Sequence, residues 1–148
     1  MFCVDDETAA EPLDLSPGEV EVGILIFDVE HREMLDHLRR LYDGLAQEKP
    51  WRQVSQALSR LLVVTKKHFD HEEDYMRTLQ YANYRQHAED HLALGARLQA
   101  FMDEMVAEST PAERNLDRVR AFFRTWLLDH ILEHDRSLAN FLAQKGIR

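Results

Sequence analysis

Residues 50–79 read PWRQVSQALSRLLVVTKKHFDHEEDYMRTL, and this stretch decides the fold. Its apolar residues Val54, Leu58, Leu61, Leu62, Phe69 and Met76 recur at three-and-four spacing, which puts them on one helical face turned to a core. Pro50 is acceptable in a first helical turn, where a missing N–H has no intrahelical bond to lose. Within the stretch, His68 and Glu72 stand four apart, so their side chains share a face one turn apart.

The same period continues outward in both directions. HREMLDHLRRLYDGLAQ, from His31, aligns Met34, Leu35, Leu38, Leu41, Tyr42 and Leu45. NYRQHAEDHLALGARLQAFMDEMVAE, from Asn83, aligns Leu92, Leu94, Leu98, Phe101, Met102 and Met105, with Asn83 and Gln86 as a capping pair. A last helix opens on TPAE, with Thr110 as cap, Pro111 in the first turn and Glu113 reaching back. It runs through Val119, Phe122, Phe123, Trp126, Leu127, Ile131, Leu138, Phe141 and Leu142. Four long amphipathic helices with short connections predict an all-α, antiparallel up-down-up-down four-helix bundle over residues 21–148. Residues 1–20 are acidic, contain Pro12, Pro17 and Gly18 and show no period; they are expected to form an extended, partly disordered N-terminal arm.

Charge and cysteine usage narrow the function classes. A net charge of -9 opposes binding to nucleic acid or an anionic membrane. No apolar run approaches the roughly 20 residues that span a bilayer. The N-terminus lacks the basic start and apolar stretch of a secretory signal, so the cytoplasm is the expected location. Cys3 stands alone, which excludes an internal disulfide and a cysteine metal site.

The eight histidines carry more information. Counted from the helix–helix turns near residues 48 and 109, His31, His68, His87, His91 and His130 all lie about 17 to 22 residues away. At roughly 1.5 Å of rise per residue they fall within a few ångströms of one level. His87 and His91 repeat the four-residue spacing of His68 and Glu72, which lets two imidazoles grip one metal. Imidazole with carboxylate suits iron, manganese or zinc. The zinc-protease HExxH is absent, because Tyr75 stands where its second histidine belongs. No glutamate is followed by histidine three places on, which removes the ferritin-like di-iron pattern.

VGILIFDVEH ending at His31, HFDHEE with His68 and Glu72, HAEDH with His87 and His91, and WLLDHILEHD with His130 and Asp135 resemble the hemerythrin family, in its single-domain bacterial form. The resemblance implies two non-haem iron ions bridged by oxide or hydroxide and two carboxylates, with O2 as the ligand. It implies that His87, His91 and His130 hold one iron, His31 and His68 the other, and that Glu72 and Asp135 bridge them. A single open position then remains, on the iron with two histidines. Many relatives carry a tryptophan in the arm, where this chain has Leu13 and Leu15.

His37 and His71 are expected at the surface or behind the ligands. His134 competes with Asp135, since His130 and His134 are also four apart. Five residues of ideal helix rotate about 140°, so Asp135 shares a face with His130 only if the helix widens locally, as in a π-type turn. Met34, Phe69, Trp126, Ile131 and Leu132 neighbour the ligands in sequence and are the candidate wall of an O2 pocket. The expected function is reversible O2 binding for storage, delivery or sensing, not an enzyme. The competing class is a di-iron peroxidase or nitric oxide-handling enzyme on the same site.

Overall fold

The computed structural model describes residues 11–107 and 116–148. The Thr110–Pro111–Glu113 cap and Cys3 lie outside the described residues. Helix α1 is Leu25–Ala46, α2 Trp51–Thr78, α3 Tyr84–Ala107 and α4 Leu116–His130. A π-helical turn, Ile131–Asp135, continues α4 into α5, Arg136–Gln144, so that three segments form one fourth rod. Each rod packs against its sequence neighbour, and α4 closes the ring onto α1. No strand occurs among the described residues, and no helix there is long and apolar enough to cross a membrane.

Local chemistry sets the helix ends. Ahead of α1, the Asp28 carboxylate accepts the backbone N–H groups of Val22 at 2.6 Å and Gly23 at 3.2 Å. Gly23 sits at φ 90°, a conformation that favours a residue without Cβ. After α1, Glu48 turns into the left-handed region at φ 55°, and the Lys49 N–H closes onto the Gly44 carbonyl at 2.9 Å. A Cβ at Gly44 would meet the Val54 methyl of α2 at 3.5 Å, an ordinary van der Waals contact. Pro50 then occupies the cap position of α2.

The apolar interior has two parts. The larger cluster includes Met34, Leu38, Leu61, Phe69, Leu98, Met102, Phe123, Trp126 and Ile131. The smaller one, at the opposite end, is Ile24, Phe27, Met76, Leu138, Ala139 and Leu142. Fully burying each Leu, Ile, Phe or Met side chain among them stabilises the fold by about 1.5–3 kcal/mol. Between the two clusters lies a buried polar layer.

Two expectations need correction. Leu92 is 79% exposed, because α3 turns Leu94 and Leu98 inward and leaves Leu92 on the outer side. Leu132 is 44% exposed: adjacency to His130 in sequence puts it on the far side of the rod, away from the proposed pocket. The described part of the arm is packed: Leu13, Leu15 and Val20 are buried in the larger cluster, and Pro17–Val20 forms a 3-10 turn.

Candidate metal centre

The polar layer is built by all four rods. His31 on α1, His68 and Glu72 on α2, His87 and His91 on α3, His130 at the end of α4 and Asp135 in the π turn are all buried. They form two overlapping groups, each with ligand atoms within 4.8 Å of one another. One comprises Glu72, His87, His91, His130 and Asp135, the other His31, His68, Glu72 and Asp135. The two carboxylates belong to both.

Each carboxylate divides its oxygens between the groups. Glu72 turns Oε1 to His68 Nε2 and Oε2 to His87 Nε2, at 2.7 Å, and to His91 Nε2, at 3.4 Å. Asp135 turns Oδ2 to His31 Nε2 at 2.8 Å, and Oδ1 to His130 Nε2 at 2.8 Å and His87 Nε2 at 3.0 Å. Neighbouring vertices of an octahedron with bonds of about 2.1 Å stand about 3 Å apart, so the spacing fits a shell of metal ligands. Hydrogen bonding alone leaves the layer unsatisfied. Both Glu72 oxygens, Asp135 Oδ1 and the Nε2 atoms of His87, His91 and His130 are buried without a hydrogen-bond partner. Two cations in the layer would satisfy these atoms, and the imidazole–carboxylate set suits iron.

Four of the five outward ring nitrogens are held as the inward ones require, while His87 Nδ1 is buried without a partner. His68 Nδ1–H donates to Glu30 Oε1 at 3.1 Å, His91 Nδ1–H to Glu73 Oε2 at 3.2 Å, and His130 Nδ1–H to Asp90 Oδ2 at 2.5 Å. His31 Nδ1–H donates to the Val20 carbonyl at 2.8 Å. With Nδ1 protonated, each Nε2 presents a lone pair to the centre. Glu30, Glu73 and Asp90 have no signature of their own in the sequence, although each immediately flanks a residue of the layer in the chain. The signal was an acid beside a ligand at i±1, and it points to the neighbouring rod.

His71 is half-buried and donates from Nδ1 to Glu30 Oε2 at 2.5 Å, behind His68. His134 belongs to neither group; its ring stacks on His130 with centroids 5.4 Å apart. The π turn supplies the widening that brings Asp135 to the His130 face. Met34, Phe69, Trp126 and Ile131 are buried beneath the layer. Phe69 stacks on His91 at 3.8 Å between ring centroids, and the Trp126 indole N–H donates to the Leu94 carbonyl at 2.9 Å.

A family model for the hemerythrin HHE cation binding domain matches residues 22–142. The chain belongs to the hemerythrin family. It is 30% identical over 129 residues to a bacteriohemerythrin of Aquifex aeolicus (strain VF5), covering 86% of this chain and 97% of the relative. It is 26% identical over 121 residues to a bacteriohemerythrin of Clostridium acetobutylicum, covering 80% and 92%. The buried His/Glu/Asp layer suits the di-iron site of a hemerythrin domain.

The charges of this hemerythrin layer are strongly coupled in the metal-free protein. Burial works against the charged forms, but Asp135 and Asp90 outweigh it at His130 and hold the imidazole up to about 10. His68 is likewise raised well above its usual range against burial, chiefly by Glu72. Burial also opposes ionised Glu72 and Asp135, yet facing histidines, His68 for Glu72 and His130 for Asp135, hold both well below the usual carboxylate range. The carboxylates therefore contribute stability above about pH 4 that is lost as pH falls through their depressed values. The histidines contribute stability that is complete below about pH 6.5 and is lost as pH rises towards their raised values. The metal-free protein should be most stable between about pH 4.5 and 6.5. Zinc displaces these protons, so the loaded protein should keep its stability on the alkaline side. Thermal unfolding of both forms from acid to alkaline pH checks this; parallel curves would contradict it.

Proposed function

We propose that this chain binds O2 reversibly at two non-haem irons, held unequally by one shared layer. The observation that carries the reading is the division of the carboxylate oxygens, one to each group, with three histidines on one side and two on the other. His87, His91 and His130 would hold the first iron and His31 and His68 the second, with Glu72 and Asp135 bridging. The side with fewer histidines leaves room for an exogenous ligand. When bound, the iron pair supplies two electrons to O2 and recovers them on release.

The protein residues do the rest. The Nδ1 contacts fix ring tautomer and orientation, so the ligand cage is set before metal or O2 arrives. Met34, Phe69, Trp126 and Ile131 present an apolar wall that keeps water and acids from the open side. Apart from the two bridging carboxylates, the buried acid among the described residues is Glu30, and both its oxygens already face histidines. A group free to deliver protons to a reacting oxygen is not among them, which favours binding over turnover.

The test is metal content and a visible spectrum, taken anaerobically with reductant and again after admitting air. About two irons per chain and a charge-transfer band that appears with O2 and fades on its removal are expected. Direct conversion to a stable ferric spectrum, or steady consumption of peroxide, would favour the enzymatic reading.

A further inference from the structure

The bracing of the histidines follows the order of the rods. Glu30 on α1 braces His68 on α2, Glu73 on α2 braces His91 on α3, and Asp90 on α3 braces His130 at the end of α4. Continued round the ring, an acid on the fourth rod would brace His31. None does; the arm takes that place, through the Val20 carbonyl. Val20 ends the 3-10 turn, where a carbonyl has no intrahelical donor to accept from. The His31 Nδ1–H supplies the missing donor in a fully buried contact.

The arm is fastened along its length. Arg39 donates to the Leu15 carbonyl, and the Tyr42 hydroxyl donates to the Glu11 carbonyl at 2.5 Å. Arg124 donates to the Asp14 carbonyl and, at 2.7 Å, to Glu19 Oε1. Glu19 in turn accepts the Ser16 N–H at 2.8 Å and closes the turn that aims Val20. Leu13 and Leu15 seat the segment in the core.

We propose that residues 11–20 are a positioning strap for one half of the metal centre, with Arg124 and Arg39 as positioning residues acting through Val20 on His31. The inference rests on the two-metal reading above. Its distinctive content is selectivity: the strap governs the two-histidine half, and the three-histidine half, where His91 and His130 are braced from within the bundle and His87 Nδ1 has no partner, does not depend on it. By linkage, metal in the two-histidine half must tighten the arm's seating to the same extent.

The test is a cobalt(II) titration of the full-length metal-free chain, followed by visible absorption and calorimetry, for the parent, Arg39→Ala/Arg124→Ala and Leu15→Ala. Two binding steps are expected in the parent. In both variants one step should stay unchanged and the other weaken about tenfold or more. Arg124→Lys on the Arg39→Ala background should recover part of the loss through Glu19. Nitrogen-15 NMR of the zinc-loaded chain should show the His31 Nδ1–H signal broadened in the variants, with His91 and His130 unmoved. Unchanged cobalt steps in both variants, or equal weakening of the two, would overturn the strap. A parent chain taking up a single cobalt would overturn the two-metal reading and the strap with it.

Discussion

Glu72→Ala should empty the centre, taking bound iron from about two per chain to about none. Glu72 is the residue that both groups share on α2, and each of its oxygens is buried against a histidine of a different group. Its loss removes the main counter-charge of His68, which is fully buried and keeps Glu30 at 3.1 Å and Asp135 at 3.6 Å in the metal-free protein. Removing one partner of a buried ion pair costs up to about 3–5 kcal/mol, less where other acids remain, so the metal-free variant should also melt earlier. That cost should shrink as pH rises and His68 sheds its proton. Glu72→Gln keeps the shape and one neutral oxygen, and should fall between the two. His134→Ala is the control: His134 lies outside both groups, and iron content should stay at the parent level. Iron analysis with calorimetric melting of the three variants is decisive. Full loading of Glu72→Ala would show that the carboxylate does not hold metal, and loss of iron in His134→Ala would reopen its rivalry with Asp135.

Trp126→Ala has the second large effect. The indole is 4% exposed in the larger core cluster, and its N–H donates to the Leu94 carbonyl of α3. Truncating a buried tryptophan costs about 3–5 kcal/mol through lost burial and the cavity left behind. The Leu94 carbonyl, inside α3, keeps its helical donor and loses only the indole N–H, whose place water entering the cavity can take. On the pocket reading proposed above, such water would lie beneath the centre, so the oxygenated spectrum should bleach faster than in the parent. Trp126→Phe keeps most of the packing and should lose much less stability. Leu132→Ala, on an exposed residue, should change stability by no more than about 0.5 kcal/mol and leave the bleaching rate alone. Denaturant unfolding and the decay of the oxygenated spectrum measure both quantities. Equal behaviour of Trp126→Ala and Leu132→Ala would remove Trp126 from the pocket wall.

The two variants also show how far the sequence could be read. Periodicity located the rods, because apolar spacing of three and four is a direct imprint of helical geometry. The five histidines share a level by distance along a rod, Glu72 joins them by its four-residue spacing from His68, and the resemblance to the family makes them a ligand set. Asp135 does not follow from spacing, since its face depends on five residues adopting a wider turn that no propensity signals. Leu92 and Leu132 differ in why they mislead: for Leu92 apolar character stood in for burial, although about half of any protein surface is apolar, and for Leu132 adjacency in sequence stood in for adjacency in space. The braces were hidden differently. Glu30, Glu73 and Asp90 look like ordinary solvated acids beside ligands, and their partners lie on other rods. The arm has no period because it is held by backbone carbonyls, which every residue type offers equally.

The π turn has a consequence beyond Asp135. Eight residues separate His130 from Leu138, and in an unbroken α-helix they would differ by about 80° around the axis. Absorbing one residue in the wide turn makes the separation behave as seven, leaving about 20° between them. The turn is thus a phase shifter. It lets the segment that seats Leu138 and Leu142 in the smaller core cluster and the segment that carries Trp126 into the larger one keep a common bearing, although their sequence frames are out of step by one.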